Sequence, residues 1–264
     1  MKLELLQDAE RPAGWWLIVD RSEQSFVDIA DPTHLEFEYV QMMSYVIETA
    51  FPQDTPLDAL HLGGGLCTVP RWLATVYPGS KQRVAEADGE VARIASSLGS
   101  LPGIELIVED AHSMLERTKP ASVDLLVSDV YLGPETVMSL YPQPALIAAR
   151  TVLRPDGLYL CNISDAAPFE LAKTVAGMLR GLYDDVALLV QPGVLRGRRS
   201  GNIVLAATDA ALDTEELGRR AAGSALKVTL IADDDLDEFI GSAAPAHDES
   251  ALPRSGESAV RRLR

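Results

Sequence analysis

Cysteine is nearly absent: Cys67 and Cys161 are the only two in 264 residues, and neither lies in a CxxC pair or beside a cluster of histidines. That leaves no basis for a disulfide framework or a structural zinc site, and no metal is expected. Basic residues are also few, 23 Lys and Arg against 39 Asp and Glu, for a formal net charge of −16. Phosphate backbones need basic patches, and the field of this chain repels polyanions, which argues against nucleic acid as a partner. A cationic small molecule is attracted by the same field; an acidic surface also serves solubility alone. No apolar run reaches the length of a membrane span, and the stretch MKLELLQDAERP is too polar for a secretory signal. The expectation is a cytoplasmic protein with no membrane partner.

What is present is an ordinary globular composition, 47% hydrophobic and 23% charged, on a chain long enough for one large core. Residues 1–35 alternate short apolar pieces, Trp15–Val19 and Phe26–Ile29, with polar turns, the pattern of a small β-hairpin or meander. Asp31-Pro32-Thr33 offers a helix start ahead of apolar residues at helical spacing up to Phe51. From Leu57 to about Thr208 strand, turn and helix repeat. Strands are predicted over Ala59–Leu62, Val84–Ala87, Ile104–Val108, Leu125–Ser128, Leu158–Asn162, Val186–Val190 and Asn202–Ala206. Helices are predicted over Val69–Val76, Glu90–Leu98, Tyr141–Leu153 and Pro168–Tyr183. Such alternation implies a mostly parallel sheet covered on both faces. The last two strands are joined only by the loop 191–201 and should pair as an antiparallel hairpin. A short helix at Thr214–Ala222 and an acidic helical piece at Asp233–Ile240 follow. Residues 242–264, rich in Ala, Ser, Pro and charge without periodicity, read as a flexible tail.

The first strand of the α/β region runs into Gly63-Gly64-Gly65, and the next helix begins near Pro70, a residue favoured in a first turn. Glycines there let the backbone approach a ligand closely, although such a turn can also serve only as a tight corner. Glu86 ends the second strand, where an acid can grip ribose hydroxyls or simply be a surface charge. The two features together point to a nucleoside site. Asp110, after the third strand, either accepts a hydrogen bond from an adenine amino group or caps the helix that starts at Ala111. Asp129 follows the apolar run Val123–Ser128, at the carboxyl end of the fourth strand, where open α/β sheets place ligands. It either orients a nucleophile and takes its proton, or caps the following turn. His112 and Cys67 read as a helix-surface residue and a small packing residue.

LHLGGG, VAEAD, VEDAHSM, DLLVSD and LRPDGLYL, in that order, resemble the spermidine synthase family of polyamine aminopropyltransferases, and within it the actinobacterial spermidine synthase-like branch. The resemblance runs from about Asp20 to Thr208. It includes DRSEQ, similar to the family's D-G-x-x-Q, and RRSGNIVLA, similar to its late S-G-Q-I-G strand. The fold it implies is α/β: a Rossmann-like class I S-adenosylmethionine-binding domain over 56–241, carrying a small N-terminal β-hairpin module and linking helix over 1–55. It also implies a homodimer.

By the same resemblance Gln24 and Glu86 hold the ribose, and Gly63, Gly64 and Gly65 pass beside the methionine-derived part. Asp110, with Ala111 next to it, binds adenine, and Asp129 deprotonates the attacking amine. Glu36-Phe37-Glu38-Tyr39 resembles E-F-x-Y, so that Tyr39 lines the amine pocket together with Tyr131 of the catalytic loop; Tyr39 is otherwise a core aromatic of an amphipathic helix.

Three departures bear on the substrate. Val40-Gln41 replaces H-E, Leu66 replaces the acid of G-G-G-D-G-G, and Asp129-Val130-Tyr131-Leu132-Gly133-Pro134 keeps only the first acid of D-S-S-D-P. Each lost carboxylate removes a charge-assisted hydrogen bond of roughly 1.5–3 kcal/mol from a cationic ligand. The function implied is transfer of an alkyl group, aminopropyl in the family, to a small cationic amine. The co-substrate is decarboxylated S-adenosylmethionine or S-adenosylmethionine itself. An S-adenosylmethionine-dependent methyltransferase and a nucleoside-binding protein without turnover are the rival readings.

Overall fold

Period-2 alternation at the front of the chain produces a three-stranded antiparallel meander, β1 (Leu3–Gln7), β2 (Gly14–Val19) and β3 (Ser22–Asp28), in a computed structural model that describes residues 2–132, 135–136 and 138–253. One face of it, with Leu17, Val19 and Val27, packs on Leu66 and on Val91, Ile94 and Leu98. The linking helix α1 (Glu38–Ala50) starts later than Asp31-Pro32-Thr33 suggests. The Asp31 carboxylate instead accepts from the Thr33 N–H and hydroxyl, closing a separate turn. Val40, Met43 and Ile47, spaced by three and four, form the buried stripe of α1.

The chain then builds β4 (Asp58–Leu62), α2 (Thr68–Val76), β5 (Lys81–Glu86), α3 (Gly89–Ser97), β6 (Ile104–Val108), α4 (Ala111–Arg117) and β7 (Val123–Ser128). A two-residue pair, β8 (Tyr131–Leu132) and β9 (Glu135–Thr136), precedes α5 (Gln143–Val152), β10 (Leu153–Asp165), α6 (Glu170–Arg180) and β11 (Asp185–Val190). The last elements are α7 (Pro192–Leu195), β12 (Gly201–Thr208), α8 (Thr214–Gly223), β13 (Thr229–Ala232) and α9 (Asp233–Ile240).

The main sheet has eight strands in the order β13-β11-β12-β10-β7-β4-β5-β6. Strands β6, β5, β4, β7 and β10 are mutually parallel, and β12 runs antiparallel to both β10 and β11. Its buried faces carry two large apolar clusters, one under α4, α5 and α6 and one under α1, α2 and α8. This is the mixed α/β architecture that the sequence resemblance implies, with the antiparallel meander as a separate small sheet. No helix among the described residues is long and apolar enough to cross a membrane.

Two expectations need correction. Strand β13 was not expected, and it closes the sheet by pairing antiparallel with β11. Residues 242–253 do not behave as a free tail: Ala246 and Leu252 are buried in the α6 side of the core. The Ala246 carbonyl accepts from Gln143 N–H at 2.9 Å, and its N–H points to Met178 Sδ at 3.3 Å. Two isolated apolar side chains are enough to dock a segment whose backbone finds partners, and sequence periodicity does not report that. The rest of the expected tail, 254–264, lies outside the described residues.

Candidate active site

Strand β4 lies between β5 and β7, so the connections leaving β4 and β7 diverge and open a crevice at their carboxyl ends. Gly63 forms its floor with φ +94°, and a Cβ there would lie 2.1 Å from the Asp129 carbonyl oxygen. Only glycine lets the two strand ends come this close. The Asp129 N–H, bonded to the Leu62 carbonyl at 2.8 Å, locks them together.

Glu86, at the end of β5, reaches under the turn. One carboxylate oxygen accepts from the Gly64 and Gly65 N–H groups at 3.1 and 3.0 Å, and the other accepts from Asp88 N–H at 2.9 Å. The meander holds the turn from the opposite side. Ser25 Oγ accepts from Leu66 N–H at 3.1 Å, and Thr68 donates its hydroxyl to the Phe26 carbonyl at 2.5 Å.

The resulting cleft encloses about 210 Å³. Its lining includes Gln24, Gly63, Gly64, Gly65, Glu86 and Ala111, with Leu17, Val19 and Val91 adding apolar surface. Tyr39, Asp129 and Tyr131 line the same cleft. Asp110 stands apart from this group: exposed, it caps α4, accepting from Ser113 N–H at 2.9 Å and from the Ser113 hydroxyl at 2.6 Å. Of its two expected uses, the cap is the contact the structure contains. Leu66 is fully buried against the meander and does not face the cleft. Val40 lines the cleft, whereas Gln41 turns to the Leu35 carbonyl at 2.7 Å. Of the loop after Asp129, residues 133 and 134 lie outside the described residues.

Asp129 receives two hydrogen bonds, from Asn162 Nδ2 at 3.0 Å and from the Tyr39 hydroxyl. Burial at the floor of the cleft outweighs both donors and raises the carboxyl above the ordinary aspartate range. Burial and the neighbouring Asp129 carboxylate hold the Tyr39 phenol well above its usual value, so it stays a donor. Tyr131 reaches the Asn162 carbonyl and Asn202 Oδ1 at 3.4 Å each.

Two residues, one bonded to Asp129 and one lining the cleft, were not among the expected ones. Asn162 is fully buried on β10, one step past the Cys161–Ser128 pairing and so level with Asp129. His61, on β4, is 1% exposed, lines the cleft, and has its pKa pushed down to about 4 by burial. The available signal was a polar residue inside an otherwise apolar strand, in LYLCNI and in LHLGGG. No group of His, Cys, Asp and Glu among the described residues is arranged to hold a metal ion.

No family model matches the chain. Two polyamine aminopropyltransferases of Neisseria meningitidis, from serogroups A and B, are each 27% identical to it over 145 residues. The match takes in 53% of this chain and 53% of theirs, so the chain spans about half the length of the curated relatives it matches. The structure of a probable spermidine synthase from Corynebacterium glutamicum superimposes with a TM-score of 0.86 at 28% identity, covering 93% of this chain and 92% of that one. A spermidine synthase in complex with the transition-state analogue AdoDATO shares the fold at TM-score 0.60 and 15% identity, over 90% of this chain and 84% of that one. Human methyltransferase-like protein 13 in complex with SAH does so at 0.53 and 16%, over 76% and 89%. The glycine turn, Glu86 and Asp129 thus share one cleft in a chain that is similar in sequence to polyamine aminopropyltransferases and in fold to a probable spermidine synthase.

Proposed function

We propose that the chain transfers an aminopropyl group from decarboxylated S-adenosylmethionine to a small amine, with Asp129 as the base. The observation that carries this reading is the Asp129 carboxylate, desolvated at the floor of the cleft and oriented by Asn162 and Tyr39. A carboxyl raised by burial binds a proton more readily than an exposed one, which suits a group that must receive the amine's proton. Tyr39 and Asn162 fix its orientation, and orientation of this kind substitutes for entropy otherwise lost in the transition state.

The residues present fit a sulfonium nucleoside. Glu86 carries carboxylate lone pairs beyond those the turn uses, Gln24 lines the same cleft, and Leu17, Val19 and Val91 offer apolar surface to a purine. Asp110 sits one residue before Ala111 of the lining, close enough in sequence to reach an adenine amino group while still capping α4. The bound sulfonium supplies a carbon already activated by the adjacent positive charge. The acceptor nitrogen bonds to that carbon as the C–S bond breaks, the electron pair stays on sulfur, and the amine's proton passes to Asp129. Tyr131 completes the acceptor side. The family resemblance further supports a homodimer and a cytoplasmic location.

The test is product analysis with decarboxylated S-adenosylmethionine and a panel of amines. Aminopropyl transfer releases 5′-methylthioadenosine and an amine enlarged by one aminopropyl unit. Release of S-adenosylhomocysteine from S-adenosylmethionine instead would make the chain a methyltransferase, and release of neither product would make it a binding protein.

A further inference from the structure

The inner end of the cleft holds a polar atom that this reaction does not use. His61 pairs in register with Val127 of β7 and Val84 of β5. Alternation along the strands puts its side chain on the same face as Gly63 and Asp129, about 6.6 Å further in. There it lines the cleft with Val40, Val69 and Val127. His61 Nε2 lies 2.9 Å from Gln82 Oε1, and Gln82 spends its amide N–H on the Pro70 carbonyl at 2.9 Å. Gln82 therefore offers the ring an acceptor, which assigns the ring proton to Nε2 and leaves Nδ1 a bare acceptor. That Nδ1 is buried without a hydrogen-bond partner.

Buried polar atoms are almost always satisfied, so an acceptor held in one tautomer and left without a partner, on a residue that lines the cleft, points to a ligand group. The cleft's carboxylates have other places. Among the described lining residues the carboxylates are Glu86 and Asp88 at the nucleoside end and Asp129 at the reacting centre. Leu66 faces the meander, so the position at which the family carries an acid contributes nothing here.

We infer that His61 Nδ1 receives the N–H or O–H at the end of a short alkyl chain carried by one of the two substrates, and so selects for a chain that ends in a hydrogen-bond donor. This rests on the transferase reading. The chain is either the aminopropyl arm of the nucleoside or the far end of the acceptor, and the two are separable by experiment.

Calorimetry on wild type and His61→Phe would compare decarboxylated S-adenosylmethionine with 5′-methylthioadenosine, which lacks the terminal amine. If the aminopropyl arm ends at His61, the variant loses about ten- to hundredfold in affinity for the first ligand and nothing for the second. If the acceptor ends there, both affinities hold, and the KM of an amine bearing a second amino or hydroxyl group rises by that factor relative to a plain alkylamine. His61→Gln, which keeps an acceptor, should recover part of the loss. With ¹⁵N-histidine in the wild-type protein, the Nδ1 resonance should move on addition of the same ligand. An equal loss for every ligand, or a fixed Nδ1 resonance with all of them, overturns the assignment while leaving the transferase reading intact. A wild-type protein that binds neither nucleoside overturns both.

Discussion

Asn162 donates its side-chain N–H to Asp129 Oδ1 at 3.0 Å from the neighbouring strand, and the Tyr39 hydroxyl donates to the same carboxylate. Both bonds stabilise the ionised form and oppose the burial that raises its pKa. Replacing Asn162 with Leu removes one of them. The Asp129 pKa then rises further, and the acid limb of the kcat/KM profile should move to higher pH, since the base form appears only above that pKa. Tyr39→Phe should shift the limb the same way. A pH profile with an unmoved acid limb in both variants would show that the titrating base is another group.

Asp129→Asn keeps the size of the side chain and removes its basicity. Turnover should fall by about 10²–10⁴-fold, with donor affinity nearly unchanged because the proposed nucleoside contacts come from other residues. Stability moves independently. A carboxyl whose folded pKa is raised stabilises fully below its ordinary value of 3.8 and loses that contribution as pH rises through the folded value. At pH 7 the ionised Asp129 is therefore a burden on the fold, and thermal unfolding of Asp129→Asn should occur at the same or a higher temperature. A lower melting temperature together with full turnover would make Asp129 a structural cap.

Glu86 has two uses that one substitution separates poorly and two measurements separate well. Its carboxylate accepts three backbone N–H groups around the glycine turn, from Gly64, Gly65 and Asp88. Glu86→Ala should therefore lower stability as well as nucleoside affinity. Each charge-assisted bond contributes roughly 1.5–3 kcal/mol, so loss of two ribose contacts would weaken 5′-methylthioadenosine by about a hundredfold or more. Lower stability with unchanged affinity for that ligand would leave Glu86 as a turn clasp only.

The parallel strands were readable because central strands buried on both faces are short apolar runs bounded by turns. The glycine turn and Glu86 were readable because their chemistry is local in sequence. Strand β13 was not, since Thr229–Ala232 is four residues long and exists through its pairing with β11. Asn162 and His61 share that limitation. Each is a polar residue in an apolar strand, and its place beside Asp129 or deep in the cleft follows from the register of β10 on β7 and of β4 on β5. Register is a property of tertiary packing, and one residue of slip would turn both side chains to the opposite face.

The docked segment after α9 carries a stability prediction opposite to that for a free tail. Leu252 and Ala246 are buried with the α6 side of the core. Leu252→Ala should cost about 2 kcal/mol, the lower end for large-to-small changes because the site is at the core's margin. At about 2–4 °C per kcal/mol for a chain of this size, the melting temperature should fall by about 4–8 °C. Differential scanning calorimetry that finds no change would show that residues 242–253 are energetically detached.

His61 gives the fold a specific weakness to acid. Its pKa is held down to about 4 from an ordinary value of 6.5, chiefly by burial, with the Gln82 bond opposing the shift. Between these two values the unfolded chain takes up a proton at this ring and the folded chain does not, so unfolding is favoured as pH falls. The contribution is fully present above pH 6.5 and is lost progressively towards pH 4. In His61→Phe the ring no longer titrates and its apolar neighbours Val40, Val69 and Val127 are retained. The slope of unfolding free energy against pH should therefore be shallower in the variant across this window, and the two proteins should respond alike above it. Parallel slopes from urea titrations at pH 7, 6 and 5 would mean that water reaches the ring in the folded protein and that burial does not hold its pKa down.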